Sequence, residues 1–144
     1  MKAAVWYGAK DIRIEQMTLR KIQDHEVKIK VAWAGICGSD LHEYVEGPIL
    51  INTEKEDPLT KEKAPIILGH EFSGVVEEIG SEVTNFKVGD RVTVNPTLTK
   101  GLKDESIDRY EGRSYIGLNG HGGFAEYVIV PETHVYLLGE NLTL

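Results

Sequence analysis

The sequence predicts a mainly β protein, a barrel or a sandwich, with a few short helices. Several short segments alternate apolar with polar residues or form short apolar runs, which is typical of strands. Glycine, proline, asparagine and aspartate bound these segments, as expected for turns between antiparallel strands. The chain has 144 residues, of which 41% are hydrophobic, enough for one domain with a buried core.

The N-terminal part is predicted to contain a hairpin, a long strand and a helical turn. The segments KAAVWY and DIRIEQM flank GAK and have the alternation of a hairpin. EVKIKVAWAGIC is the clearest strand, because Val27, Ile29 and Val31 alternate with lysines. GSDLHEY follows it, and Ser39 or Asp40 is predicted to cap a short helical turn there.

The rest of the chain is predicted to alternate strands with two polar segments. Residues 46–65 combine prolines with charged residues and are predicted to form a long surface loop. Residues 97–114, TLTKGLKDESIDRYEGRS, are polar and are predicted to be irregular. Further strands are predicted at EFSGVVEEIG, DRVTVNP, GGFAEYVIVP and HVYLL.

Composition excludes several classes of function. The net charge of −7, without a basic cluster, argues against nucleic-acid binding. The apolar runs are far too short to span a membrane, and the N-terminus lacks the pattern of a secretory signal. A single cysteine excludes an internal disulfide and is typical of a reducing compartment, so a cytoplasmic location is predicted. No G-x-G-x-x-G follows a strand and opens a helix, so no dinucleotide site is recognisable.

Cys37, His70 and Glu71 are candidate metal ligands. A thiolate, an imidazole and a carboxylate can bind a catalytic zinc ion and leave one tetrahedral position open for water or substrate. Cys37 ends a predicted strand, and His70 and Glu71 begin another behind Gly69, where the backbone is free to bend. A single cysteine or histidine is more often a core or surface residue, so these residues alone leave the metal site a hypothesis.

The motif around His70 resembles the signature of zinc-containing medium-chain alcohol dehydrogenases. GHEFSGVVEEIGSEV has Gly-His-Glu, two residues, Gly, five residues, Gly, two residues and an aliphatic residue. AGICGSDLHEY, VGDRV and GGFAEYVIVP occur around it in the order found in that family. The resemblance covers residues 1–144 and implies a GroES-like, partly open β-barrel that forms the catalytic domain. Within the family, the segments CGSDLHEY, GPI and APIILGHEFSG are most similar to the butanediol dehydrogenase branch, to which sorbitol and threonine dehydrogenases are closely related.

The resemblance implies a role for each candidate residue. Cys37 and His70 would bind one catalytic zinc ion, and Glu71 would either bind it directly or lie just outside the ligand shell. Ser39 would take the proton of the alcohol, because a hydroxyl can accept and donate at once. His42 would form the outer end of this proton relay; the alternative is a partly exposed helical histidine.

Asp40 would either orient the ligands or cap the helical turn. The other histidines, His25, His121 and His134, match no functional position and are predicted to be surface residues.

The chain also departs from the family pattern in two ways. Many relatives have four cysteines in a lobe that binds a second, structural zinc, whereas residues 97–114 contain none, so one catalytic zinc and no structural zinc is expected. The family uses a following Rossmann domain to bind NAD or NADP. No such domain occurs within residues 1–144, which we therefore expect to be the catalytic part of a longer enzyme.

The expected activity is oxidation of a secondary alcohol or vicinal diol, butane-2,3-diol to acetoin, with hydride transfer to NAD. The full-length enzyme is expected to be a homo-oligomer acting on a small molecule. Alternatives are another polyol or threonine-type dehydrogenase, or a non-catalytic GroES-like binding module. A module used only for assembly would need none of the candidate site residues.

Overall fold

A computed structural model describes residues 1–99 and 112–144 of the chain, which contain ten strands and one α-helix. The strands β1 to β10 cover Lys2–Gly8, Asp11–Gln16, Glu26–Gly35, Ile66–Ile67, Glu71–Ile79, Arg91–Val94, Thr97–Thr99, Arg113–Tyr115, Tyr127–Pro131 and Val135–Leu137. Helix α1 spans Gly38–Glu46, and a 3-10 helix spans Glu132–His134. No helix within these described ranges is long and apolar enough to cross a bilayer.

The strands form three antiparallel sheets that curl into a partly open barrel. The largest sheet has the order β10-β6-β5-β3-β9, and the second has the order β2-β1-β4. A bridge between Ala3 and Ala125 joins the second sheet to the segment before β9, and the Ala4 amide donates to the Phe124 carbonyl at 2.8 Å. The expected mainly β, partly open barrel is confirmed.

Strand β3 runs through the centre of the largest sheet and anchors the core. It pairs with β5 on one side and β9 on the other. Val27 and Ile29 are fully buried while Lys30 is exposed, as the sequence alternation predicts. Full burial of such a side chain contributes about 1.5–3 kcal/mol. Because β3 is held on both sides, its C-terminal end has a well-defined position.

Helix α1 begins differently from the prediction. Its N-cap is Cys37, and neither Ser39 nor Asp40 occupies that position. Asp40 lies instead in the first turn, where its Oδ2 accepts the backbone N–H of Cys37 at 2.9 Å. A carboxylate at the third helical position reaches back to the N-cap amide, which otherwise has no partner inside the helix.

Residues 46–65 are not only a surface loop, because Ile51 and Asp57 are buried. The Asp57 carboxylate accepts the backbone N–H groups of Leu59 and Thr60, each at 2.9 Å. It also accepts the hydroxyl of Ser114 at 2.7 Å, which ties this segment to β8. Residues 47–65 form no helix or strand, as the prediction of a loop requires, but their partial burial was not predicted. Local polarity does not show which carboxylate finds enough donors to be buried.

Residues 97–114 contain regular structure that the prediction missed. Strands β7 and β8 form a short antiparallel ladder in which Thr97 pairs with Tyr115 and Thr99 pairs with Arg113. The middle of the segment, residues 100–111, lies outside the described ranges. The predicted strand at GGFAEYVIVP also begins later than expected, at Tyr127.

The three histidines predicted to lie on the surface differ in their burial. His25 is exposed, with its Nε2 2.9 Å from a Glu82 carboxylate oxygen. His121 and His134 are only partly exposed. The His121 Nδ1 accepts the backbone N–H of Ile67 at 3.1 Å. The prediction was therefore correct for His25 alone. The contact of His121 with a backbone amide could not be predicted, because the sequence does not show which side chains lie next to each other in the fold.

Candidate metal centre

The antiparallel register of β3 and β5 brings the candidate ligands together. Gly35, the last residue of β3, pairs with Glu71, the first residue of β5. Cys37 follows two residues after Gly35, and His70 immediately precedes Glu71. The missing side chain at Gly35 leaves room for the Glu71 carboxylate, since a Cβ there would lie 2.7 Å from Oε2. Two segments 33 positions apart in sequence thus meet at one end of the sheet.

Cys37, His70 and Glu71 each direct one donor atom to a common point. The three donor atoms lie within 4.8 Å of one another. A tetrahedral zinc ion with ligand distances of about 2.0–2.3 Å holds its donors roughly 3.5 Å apart, so a small inward movement suffices. Cys37 and His70 are partly buried, and Glu71 is exposed at the mouth of the site. A thiolate, an imidazole and a carboxylate suit zinc.

Asp40 orients the imidazole of His70. Its Oδ1 lies 3.5 Å from the Nδ1 of His70, and the carboxylate is buried at 3% exposure. Both atoms lack any other hydrogen-bond partner among the described residues. The imidazole therefore has its Nδ1 turned to Asp40 and its Nε2 turned to the side of the other candidate ligands, the orientation that metal-binding histidines commonly have. Asp40 also raises the pKa of His70 to about 9, because the carboxylate stabilises the imidazolium.

Ser39 lies directly beside the ligands. Its Oγ is 3.1 Å from the Nε2 of His70, the ring nitrogen on the metal side. The Ser39 hydroxyl also lowers the pKa of the Cys37 thiol by hydrogen bonding to the sulfur, and the Ser39 amide and the His70 ring act in the same direction. A lowered pKa favours the thiolate, which is the metal-binding form of cysteine.

A glycine-rich loop supports the backbone just before His70. Gly69 has a φ of +93°, and a Cβ there would lie 2.5 Å from the Phe124 ring, so only glycine fits without strain. The Gly69 carbonyl accepts the amide of Gly123 at 2.7 Å, and the Ile67 carbonyl accepts that of Gly122 at 2.8 Å. These close contacts explain the glycines of GLNGHGGF, because the loop packs directly against the backbone of residues 67–69.

His42 is not part of the ligand cluster. It lies on the exposed part of α1, three residues after Ser39, and does not line the cleft. Residues three apart share one face of a helix, so His42 lies on the same face of α1 as Ser39, between Ser39 and solvent in the expected proton relay.

The ligands open into a cleft of about 580 Å³, and several of its walls were missed by sequence reasoning. The lining residues that the sequence did not single out are Trp33, Phe72, Ser73, Thr93, Val94 and Pro96. One signal was available: Trp33 is a large aromatic residue on the central strand, four positions before the candidate ligand Cys37. A second cavity, of about 290 Å³, contains none of the candidate ligands.

Comparison with known proteins points to one family. The profile of the family described as "alcohol dehydrogenase GroES-like domain" matches residues 23–140. The (R,R)-butanediol dehydrogenase of Bacillus subtilis is 50% identical over 144 residues, covering 99% of this chain and 42% of that protein. The crystal structure of 2R,3R-butanediol dehydrogenase from B. subtilis superposes with a TM-score of 0.93, covering 99% of this chain and 41% of that one, at 50% identity.

A more distant structure shows the same fold with a different named substrate. Galactitol-1-phosphate dehydrogenase from Escherichia coli gives a TM-score of 0.81 at 30% identity, over 99% of this chain and 39% of that one. The chain thus spans about two fifths of the length of the relatives it matches.

Proposed function

Because this chain belongs to the alcohol dehydrogenase family with a GroES-like domain, we propose that it is the metal- and substrate-binding part of an oxidoreductase. The enzyme oxidises a secondary alcohol or vicinal diol, butane-2,3-diol to acetoin, and transfers the hydride to NAD. The observation that carries this proposal is the convergence of Cys37, His70 and Glu71, with the Ser39 hydroxyl beside them. The butanediol dehydrogenase of B. subtilis supports the choice of substrate.

The metal in this proposal is one zinc ion, held by Cys37 Sγ, His70 Nε2 and a Glu71 carboxylate oxygen. When bound, zinc supplies Lewis-acid polarisation of a substrate oxygen. The buried Asp40 keeps the His70 ring turned so that Nε2 faces the cleft. Glu71 is the exposed member of the three and would bind the metal from the solvent side of the cleft.

The proton of the alcohol leaves through this chain's own residues. Ser39 accepts it, because its Oγ lies 3.1 Å from the metal-side nitrogen of His70. A hydroxyl can donate its own proton while it accepts another, so it does not build up charge. His42, exposed one turn further along α1, passes the proton to solvent. The nicotinamide cofactor, when bound, would supply the hydride acceptor.

The hydride acceptor binds to a part of the enzyme outside residues 1–144. This proposal is supported by the relatives, of which the chain spans about 42%. The sequence also lacks a strand–glycine loop–helix fingerprint for a dinucleotide. A following Rossmann domain would place the nicotinamide over the cleft. The cytoplasmic location and the homo-oligomeric state stay predictions.

The test is an assay of the full-length enzyme with butane-2,3-diol and NAD, with the zinc content measured in parallel. We expect acetoin and NADH in equal amounts, loss of activity on chelation, and recovery when zinc is restored. Cys37→Ser and His70→Ala should lower the bound zinc as well as the rate. If the enzyme retains full activity without zinc, or if both variants keep their zinc, the proposal is wrong.

A further inference from the structure

Trp33 is an exposed aromatic residue in the wall of the cleft that holds the candidate ligands. It is 68% exposed, although burial of a tryptophan is strongly favourable. It also lines the same cleft as Cys37, His70 and Glu71. The other tryptophan of the chain, Trp6, is completely buried in the core. The exposed indole therefore belongs to the wall of the candidate active site.

The strand register explains why the indole stands at this place. Trp33 pairs with Ser73 on β5, two residues further along that strand than Glu71. Side chains two residues apart on a strand point to the same face of the sheet, so Glu71 and Ser73 share a face. Directly paired residues on antiparallel strands also present their side chains on one face. Trp33 thus stands beside Glu71, on the side of the cleft away from the helix.

Apart from the ring of His70, the cleft wall around the indole is mainly apolar. Val94 and Pro96 are its aliphatic members, and Ser73 and Thr93 supply the hydroxyl groups. No lysine or arginine lines the cleft in residues 1–99 or 112–144. Phosphate groups are usually bound by arginine, lysine or helix N-termini, so this wall offers a phosphorylated polyol no partner.

We propose that Trp33 is a specificity-determining residue whose indole ring packs against the alkyl group beside the carbinol carbon of the substrate. The enzyme thereby selects short aliphatic secondary alcohols and vicinal diols over polyhydroxy and phosphorylated polyols. A methyl group gains by leaving water for the indole surface. A sugar-alcohol hydroxyl in the same place loses hydrogen bonds to water without replacement. This inference rests on the proposed function and specifies its substrate class.

The experiment compares substrates on the full-length zinc enzyme and three variants. Trp33→Ala removes the wall, Trp33→Phe keeps an aromatic surface, and Ile14→Ala is the control. Ile14 is a similarly exposed apolar residue on β2, 74% exposed and outside the cleft. The substrates are butane-2,3-diol, butan-2-ol, sorbitol and galactitol 1-phosphate, and kcat/KM is measured for each.

We expect the wild type to prefer the two butane alcohols. Trp33→Ala should lower the ratio of kcat/KM for butane-2,3-diol over sorbitol by about tenfold or more, the usual effect of one methyl-sized apolar contact. Trp33→Phe should retain most of the preference, and Ile14→Ala all of it, with zinc content unchanged throughout. The inference is overturned if Trp33→Ala lowers kcat/KM equally for all substrates, if the ratio is unchanged, or if the wild type prefers a polyol.

A binding measurement separates this inference from the proposed function. The wild type and Trp33→Phe are titrated with butane-2,3-diol and with sorbitol, and the change in tryptophan fluorescence is recorded. We expect the fluorescence change to saturate at a lower concentration of the diol than of sorbitol, and to be lost in Trp33→Phe. This result supports the packing of the indole against substrate even in an enzyme that turns over neither compound. Absence of that difference overturns the inference, whereas absence of turnover alone overturns only the proposed function.

Discussion

The carboxylate of Asp40 links the two segments that carry the candidate ligands. One oxygen accepts the Cys37 amide at 2.9 Å, and the other faces His70 Nδ1 at 3.5 Å. The sequence left open whether Asp40 caps the helix or orients a ligand; the structure shows it positioned for both, because its two oxygens point in different directions. Cys37, His70 and Glu71 were identifiable from their motif, whereas Trp33 was not, because exposure of a tryptophan depends on its neighbours.

Replacing Asp40 by asparagine tests its positioning of His70. The amide would keep the size of the side chain but lose the negative charge that favours a donating Nδ1–H. We expect Asp40→Asn to weaken zinc affinity by about 10–100-fold, the usual effect of losing a carboxylate behind a metal-bound histidine. Competition with a chromophoric chelator measures the affinity. Asp24→Asn, an exposed aspartate away from the cleft, should bind zinc as the wild type does; equal affinity in both variants would contradict the prediction.

Replacing Ser39 by alanine tests its part in proton transfer. We expect Ser39→Ala in the full-length enzyme to lower kcat by about 10²–10⁴-fold, the typical contribution of a positioned acid–base group. Zinc content should change little, because the ligands stay in place. Ser73→Ala removes a hydroxyl from the wall of the neighbouring cleft and is the matched control. Activity of Ser39→Ala within a few-fold of the wild type would mean that Ser39 only forms the turn.

Among the secondary structure elements, the segment 46–65 and the ladder β7–β8 are joined by one buried side-chain contact. The buried Asp57 connects them through the hydroxyl of Ser114. The single cysteine of the chain, Cys37, lies outside this part of the molecule. The strands themselves were largely predictable, since alternation shows which face is buried. The Asp57 contact was not, because its partners lie 57 positions away in β8 as well as nearby.

Replacing Asp57 by alanine should destabilise the fold. The amides of Leu59 and Thr60 and the Ser114 hydroxyl would lose their acceptor in a buried site, and each buried unsatisfied donor costs about 1–3 kcal/mol. We therefore expect the free energy of unfolding to fall by on the order of 3 kcal/mol, measured by urea denaturation.

A matched control is available in the same chain. Asp24 accepts the hydroxyl of Ser81 at 2.5 Å in an exposed pair, so Asp24→Ala removes the same kind of contact in water. We expect it to lower stability by less than about 1 kcal/mol. Similar losses for both variants would show that burial of Asp57 is not what makes its contacts strong.

For the molecule as a whole, the partly open barrel brings the candidate ligands into one cleft. The chain spans about 42% of the butanediol dehydrogenase it resembles. The net charge of −7 predicts that nucleic acids are not partners. The donor set lies within a few Å in this chain alone. Metal binding and hydride transfer should therefore be separable properties, the first present in this chain and the second dependent on the rest of the enzyme.

The isolated 144-residue chain tests that separation. We expect it to bind zinc, with lower affinity than the full-length enzyme, because affinity depends on ligand count and on a closed surrounding shell. We also expect no NAD-dependent oxidation of butane-2,3-diol. Zinc binding is measured by chelator competition and activity by NADH absorbance. Measurable turnover by the isolated chain would contradict the expectation, as would the absence of zinc binding that Cys37→Ser can alter.

The sequence by itself determined the β class, the positions of most strands and the identity of the candidate ligands. These depend on local alternation and on a short motif, both of which can be read along the chain. The tertiary structure decided which residues surround the ligands, from Asp40 behind His70 to Trp33 across the cleft. It also decided that Asp57 is buried and that Cys37 begins the helix. The physical reason is that burial and hydrogen-bond pairing depend on residues distant in sequence, which only the register of β3 against β5 and the closure of the barrel bring together.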